Sequence, residues 1–231
     1  MSRWGMVIDL DRCTACQACT VACRAENNIP FAEPEEAEKG RVISWNQVMA
    51  SREGHYPHVS IRYIPMPCMQ CEHPACIKVC PVEATYKTPE GIVAQIYNRC
   101  VGCRYCTVAC PYTRRFFNWY GPSWPEVMKR QMNPEVSVRP KGVVEKCLFC
   151  IQRLRKVQEQ ARKEKRAVRD DEVVRLPACC ETCPSEALYF GDLDDPTSTV
   201  SKLAHSKRAF RLQEDLGTHP KVIYLAEGDF R

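Results

Sequence analysis

Apolar positions in this chain come in short runs separated by cysteine-rich loops. The run from Gly5 to Arg12 predicts a strand, and Thr20 to Asn28 a short helix. Arg41-Val42-Ile43-Ser44-Trp45 also reads as a strand. Val59 to Ile64 alternates with period two, which predicts another. Thr85-Tyr86-Lys87, the turn Pro89-Glu90-Gly91 and Ile92 to Tyr97 predict two strands joined by a tight turn. Further on, Gly142 to Val144 leads into a cysteine, and Gln152 to Arg166 predicts a strongly basic helix with a solvated face. Ala187 to Gly191 reads as a strand, Ser198 to Leu216 as a helix stopped by Gly217, and Lys221 to Leu225 as a last strand. Short helices mixed with short strands predict an α+β fold.

Composition changes this picture by showing how little the chain has to bury. Leu, Ile, Val and Phe total 48 of 231 residues, about a fifth, close to the level at which chains fail to fold on apolar burial alone. Cross-links must then hold the fold, as disulfides or metals do in small scaffolds. The chain has 17 cysteines. Their odd number, their tight C-x2-C spacing and the missing secretory signal favour metal over disulfides. Met1 to Asp9 has no apolar run before its first acid, Arg114-Arg115 lies too deep for a twin-arginine signal, and no stretch approaches a membrane span. Net charge is +5, from 33 basic and 28 acidic residues. That is too mild and dispersed to predict nucleic-acid binding.

Sixteen of the cysteines fall into quartets. Cys100, Cys103, Cys106 and Cys110, followed by Pro111, have the bacterial ferredoxin spacing C-x2-C-x2-C-x3-C-P. Cys13, Cys16, Cys19 and Cys23 repeat it, with Arg24 in place of the proline. Cys68, Cys71, Cys76 and Cys80 stretch the middle gap, and Cys147, Cys150, Cys179 and Cys183 hold a long insert. Zinc ribbons use two separated C-x2-C knuckles, whereas a third cysteine close by and a fourth before proline suit a cubane cluster. In two-cluster ferredoxins the fourth cysteine crosses to the neighbouring cluster. The spacing therefore predicts a central module in which Cys68, Cys71 and Cys76 join Cys110, while Cys100, Cys103 and Cys106 join Cys80. The remaining halves must pair with each other, Cys13, Cys16 and Cys19 with Cys183, and Cys147, Cys150 and Cys179 with Cys23. All sixteen would bind iron, as four [4Fe-4S] clusters.

The expected organisation is an outer dicluster module from 1–28 and 141–195, a central one over 58–115, insertions at 29–57 and 116–140, and a docking extension at 196–231. Cys180 is left over; Cys179 is preferred as ligand because the x3 gap to Cys183 matches the other quartets. His73 could hydrogen-bond a sulfur or sit beside its loop. Tyr112, Phe116, Phe117, Trp119, Tyr120 and Trp124 are either local packing or a partner surface. No residues are set out for bond-making chemistry and no glycine loop cradles a nucleotide. Electron relay without catalysis is what these residues predict.

The four quartets in this order, with Gly5 to Asp9, Cys68-Met69-Gln70-Cys71-Glu72-His73-Pro74-Ala75-Cys76, Glu145 to Cys150, Pro177 to Cys179 and Glu181 to Pro184, resemble the iron-sulfur subunits of the complex iron-sulfur molybdoenzyme family. Ala25 to Pro30, Tyr97 to Gly102, Arg115 to Trp119, Asn133 to Val136 and Gly191 to Pro196 are most similar to the alternative complex III, quinone reductase and polysulfide reductase branches. Relatives there often lack the second cysteine of the third quartet and hold a three-iron cluster; Cys103 is present here. The resemblance implies a non-catalytic electron-transfer subunit between a molybdopterin-type subunit and an NrfD-like membrane subunit that handles quinone, with a multihaem cytochrome c as a further partner. It also implies a peripheral membrane position, on the periplasmic side in preference to the cytoplasmic, reached on a partner's export signal. A soluble subunit of a hydrogenase or formate hydrogen-lyase is the alternative, and a zinc-bound scaffold the third reading.

Overall fold

The structure is a computed structural model, and it describes residues 2–228. Met1 and residues 229–231, the outer ends of the expected first module and of the C-terminal extension, lie outside the described residues.

Strand β1 (Trp4–Asp9) is buried along its whole length and leads into the first cysteine loop. Helix α1 (Ala18–Glu26) carries Cys19 and Cys23 inward. The acidic run forms a single turn, α2 (Pro34–Glu38). Arg41 to Trp45 is not a strand, contrary to expectation. Ile43 and Trp45 are buried, but Arg24 binds the Ile43 carbonyl at 2.8 Å, so the side chains go inward without a strand partner. The same guanidinium binds the carbonyls of Ile29 and Pro30. The arginine that replaces proline after Cys23 thus ties the insertion to the first quartet.

Strands β2 (Gln47–His55) and β3 (His58–Met66) form an antiparallel hairpin that is mostly exposed. Next come α3 (Ala75–Lys78), the hairpin β4 (Thr85–Lys87) and β5 (Val93–Gln95), and α4 (Tyr105–Val108); the hairpin is the strand, turn and strand that the sequence predicts, with a shorter second strand, while the two short helices are not foreseen. Phe116 and Phe117 form β6, which pairs with β7 (Val144–Glu145) across the aromatic insertion and its short helix α5 (Glu126–Lys129). Helix α6 (Ile151–Lys163) buries Leu154 and Ala161 and leaves most of its charges solvated. α7 (Asp170–Val173) and α8 (Ala178–Glu181) bring Cys179 back to the core.

Strand β8 (Leu188–Asp192) is antiparallel to β1. The expected long helix after Ser198 stops early. Ser198 caps α9 (Thr199–Ala204) by accepting from the Ser201 amide, but the chain then turns. Arg208 reaches Asp9 and Asp11 at 2.6 Å each, and β9 (Ala209–Phe210) pairs with Tyr224 and Leu225. Tertiary ion pairs and strand pairing override the local periodicity here. Strand β10 (Val222–Leu225) lies parallel to β1, with Met6 opposite Val222 and Ile8 opposite Tyr224.

The sheet order is β8-β1-β10-β9, so the two ends of the described chain are its central strands. One face packs Trp4 on Phe190, ring centroids 5.5 Å apart, and Phe149 edge-on to Phe190. The cysteine loops sit on that side, because Cys19, Cys23, Cys147, Cys179 and Cys183 belong to the same apolar cluster. The other face packs Val7, Ile223 and Leu225 against Val200 of α9.

Candidate functional site: four cysteine quartets

The four loops share one backbone geometry. In each C-x2-C the residue before the second cysteine has positive φ: Ala15 at 56°, Gln70 at 48°, Gly102 at 69° and Phe149 at 56°. A second left-handed residue comes three positions after the last cysteine in three quartets, at Glu83, Thr113 and Glu186. The first quartet departs where Arg24 lets α1 run on to Glu26, and its left-handed residue is Asn28. Non-glycine residues rarely hold this conformation, so its recurrence marks four copies of one loop. The turn aims amides at sulfur. Phe149 N–H lies 3.4 Å from Cys147 Sγ and Ala187 N–H 3.3 Å from Cys183 Sγ, while a further amide comes from outside the turn, Val144 N–H of β7 at 3.4 Å from Cys100 Sγ.

Several thiols lie within electrostatic reach of one another. Cys13 faces Cys183 and Cys16, and Cys19 faces Cys13 and Cys183. Cys23 faces Cys147, Cys150 and Cys179. Cys71 faces Cys68, Cys110 and Cys76. Cys106 faces Cys100 and Cys103. Cys80 is the exception: it meets backbone amides of Thr85, Val82 and Ala84, which together outweigh burial and hold its thiol below the usual range. Electrostatic reach also extends between groups. Cys19 feels Cys179, Cys147 feels Cys68, and Cys106 feels Cys76.

Burial pushes Cys19, Cys71 and Cys147 up to about 12 and Cys106 to about 11. It also drives Cys23 and Cys150 up, and a hydrogen bond with Cys180 raises Cys179 together with its burial. Buried thiols so close together cannot all ionise in a low-dielectric interior unless a cation sits among them, and metal coordination deprotonates thiols outright. All 17 cysteines are free. Among the described residues no group of three or more His, Cys, Asp or Glu is placed to hold one metal ion. Thiols in fours at ferredoxin spacing, the third close to the second in three quartets and three of the fourth cysteines before proline, are the donor set of a multi-iron cube. The donor set fits iron-sulfur clusters.

Several polar residues around these sulfurs carry no sequence signal. Lys146 is fully buried, donates to the Cys147 carbonyl at 2.7 Å, and faces both Cys147 and Cys76. Arg115 is buried with Thr85 as partner and faces Cys76, Cys106 and Cys110. Gln70 donates to the Cys147 carbonyl and accepts from the Val93 amide. A lysine or arginine next to a cysteine is common, and nothing in the sequence says that these two turn inward. His73 packs edge-on to His219 beside its loop. Cys180 is fully buried next to Cys179. Of the six aromatics, Tyr112 is buried, while Phe117 and Trp119 form a half-buried edge-to-face pair.

Comparison with known proteins agrees with this geometry. Two family models, each described as a 4Fe-4S dicluster domain, match residues 12–84 and 59–126. The menaquinone reductase iron-sulfur cluster-binding subunit of Nitratidesulfovibrio vulgaris is 50% identical, covering 99% of this chain and 90% of that protein. The arsenate respiratory reductase iron-sulfur subunit of Shewanella sp. is 36% identical over 96% of each protein. A polysulfide reductase subunit of Wolinella succinogenes is 35% identical over 96% of this protein and 94% of its own length. Four 4Fe-4S clusters and a non-catalytic electron-transfer role follow. Among the described residues no helix is long and apolar enough to cross a membrane. The chain belongs to the iron-sulfur subunits of the complex iron-sulfur molybdoenzyme family.

Proposed function

We propose that the chain is a linear electron relay whose two ends are the quartets bearing Cys16 and Cys103. The ligand sets are Cys13, Cys16, Cys19 and Cys183; Cys23, Cys147, Cys150 and Cys179; Cys68, Cys71, Cys76 and Cys110; and Cys80, Cys100, Cys103 and Cys106. Bound clusters supply one-electron redox chemistry, and the protein supplies spacing, burial and hydrogen bonds that set each potential. The observation that carries the reading is the order in which thiols of successive sets come within electrostatic range of one another, Cys19 with Cys179, Cys147 with Cys68 and Cys106 with Cys76. Exposure supports it, since Cys16 and Cys103 are the exposed cysteines and all four of the second set are buried.

The domain reading follows the same crossover, with 1–28 and 141–195 as the outer module, 58–115 as the central one and 196–231 as the extension. Strand β10 gives the extension a structural part as well as any docking part, because it completes the sheet beside β1. One end of the relay meets a molybdopterin-type subunit and the other a quinone-handling NrfD-like membrane subunit, with a multihaem cytochrome c as a further partner and the periplasmic face as the site of assembly. The name of one relative, a menaquinone reductase subunit, supports the quinone-handling partner. Cysteine variants read by EPR redox titration test the ligand sets. Cys183→Ala should remove one cluster and spare the central pair, and Cys179→Ala should remove another while Cys180→Ala keeps all four. Loss of a central cluster on Cys183→Ala, or of any cluster on Cys180→Ala alone, would overturn the assignment.

A further inference from the structure

The cleft beside Cys103 differs from the other end of the relay. A cavity of about 740 Å³ opens there, lined by Arg41, Arg104, Arg115, Trp119 and exposed apolar side chains, and by no acidic residue. Beside Cys13 and Cys16 the corresponding cavity is about 10 Å³. Val42, Tyr105 and Val108 at this mouth are 40%, 59% and 82% exposed. Trp119 is flanked by two guanidiniums, Arg41 at 4.5 Å and Arg104 at 4.6 Å from its ring centre.

The three arginines are not equivalent. Arg41 is paired with Glu36 at 3.0 Å, and Arg115 is turned inward to Thr85. Arg104 stacks on Trp119 and Phe117 but has no carboxylate partner among the described residues. Arginine and aromatic side chains around a concave apolar site are the usual make-up of an interface hot spot. An unpaired guanidinium at its centre asks for an anion. A carboxylate approaching the anionic quartet at Cys103 is tolerable only if such a cation lies beside it.

We propose that this cleft docks an acidic segment of a protein redox partner, with an Asp or Glu paired to Arg104 and an apolar neighbour seated against Tyr105 and Val108. The concave shape and the fixed arginine-tryptophan-arginine stack favour a protein segment over a flat lipid surface. This inference rests on the relay reading for its partner, although the surface itself does not depend on which cysteines bind which cluster.

The test uses the whole complex purified from native membranes, with Tyr105→benzoylphenylalanine as a photo-cross-linking probe and iron counted in the same sample. The expected product joins position 105 to a partner subunit within a segment containing Asp or Glu. In a second preparation Arg104→Glu should weaken retention of that subunit by about tenfold, with the wild-type attachment falling as salt rises. Cross-linking to lipid alone, to an uncharged segment, or to nothing in the intact complex would overturn the proposal. So would Arg104→Glu with iron content and partner retention both unchanged. Arg104 lies between two proposed ligands, so Val108→Asp, on the cleft rim, serves as the second variant and should also weaken retention; if it holds the partner as well as wild type does, the proposal fails. Low iron in the cross-linked sample would count against the relay reading and leave the docking result to stand on its own.

Discussion

The side-chain amide of Asn27 lies 3.9 Å from the sulfur of Cys150, 123 positions along the chain, and 3.7 Å from that of Cys23. Asn27 is buried, and its Nδ2 also donates to the Cys23 carbonyl at 3.0 Å. One donor therefore serves two sulfurs of the same proposed ligand set. Hydrogen bonds to the sulfurs stabilise the reduced, more negative state and so raise the potential.

Asn27→Leu should lower the potential of that cluster alone. A differential hydrogen-bond energy of about 1 kcal/mol corresponds to roughly 40 mV for one electron. Stepwise redox titration followed by EPR checks this, and an unchanged set of four potentials would show that the amide does not tune the cluster.

Gly102, in the third C-x2-C, has φ +69°, and a Cβ there would lie 2.1 Å from the Gly142 carbonyl oxygen. Backbone cannot yield as a flexible side chain can. Gly102→Ala should open the loop that holds Cys100 and Cys103, so that one cubane, about four irons per chain, is lost first. Iron analysis after anaerobic purification measures it. A full iron complement would mean that the loop relaxes elsewhere.

Arg139 and Glu145 form an ion pair with almost no exposure on either side. Burial pushes the Glu145 carboxyl up and Arg139 opposes that shift. Arg139 also donates to the Asn28 carbonyl at 2.9 Å and stacks on Trp45. Arg139→Leu leaves a buried carboxylate alone and should cost about 3–5 kcal/mol, with part of the loss recovered when Glu145→Leu is added. Denaturant unfolding of both variants decides it.

Lys221 is buried, and desolvation lowers its ammonium to about 8 despite Glu72 at 3.7 Å. The unfolded chain keeps this proton up to about 10.5, so between those values the unfolded state binds more protons than the folded one. Stability should therefore rise with pH from about 8 to 10.5, by up to about 3 kcal/mol. Below pH 8 the full cost of a buried charge is present. Lys221→Met should abolish that rise and be the more stable protein at pH 7; a slope identical to wild type would show that Lys221 keeps its charge.

Much of this site is legible in the cysteine spacing, because a ligand quartet must repeat a fixed turn wherever it occurs. The strands next to the quartets, β1 and β4 to β5, are legible for a related reason: short apolar runs lead straight into or between cysteine loops. Arg41 to Trp45 misleads because alternation records which side chains go inward and not whether the backbone finds a strand partner. Ser198 to Leu216 misleads because Arg208 and Phe210 answer to Asp9 and Tyr224, residues far away in sequence. Asn27, Lys146 and Arg115 could not be found in advance, since their roles come from burial beside sulfurs that only the fold brings near.

An iron-edge anomalous diffraction map of the anaerobically prepared full chain tests the central claim most directly. The account predicts four iron cubes in a row, with the terminal two at Cys16 and Cys103 and with Cys183 and Cys23 each serving a cube built mainly from the other end of the chain. Single-ion peaks at the zinc edge, or cubes held only by cysteines of one continuous segment, would contradict it.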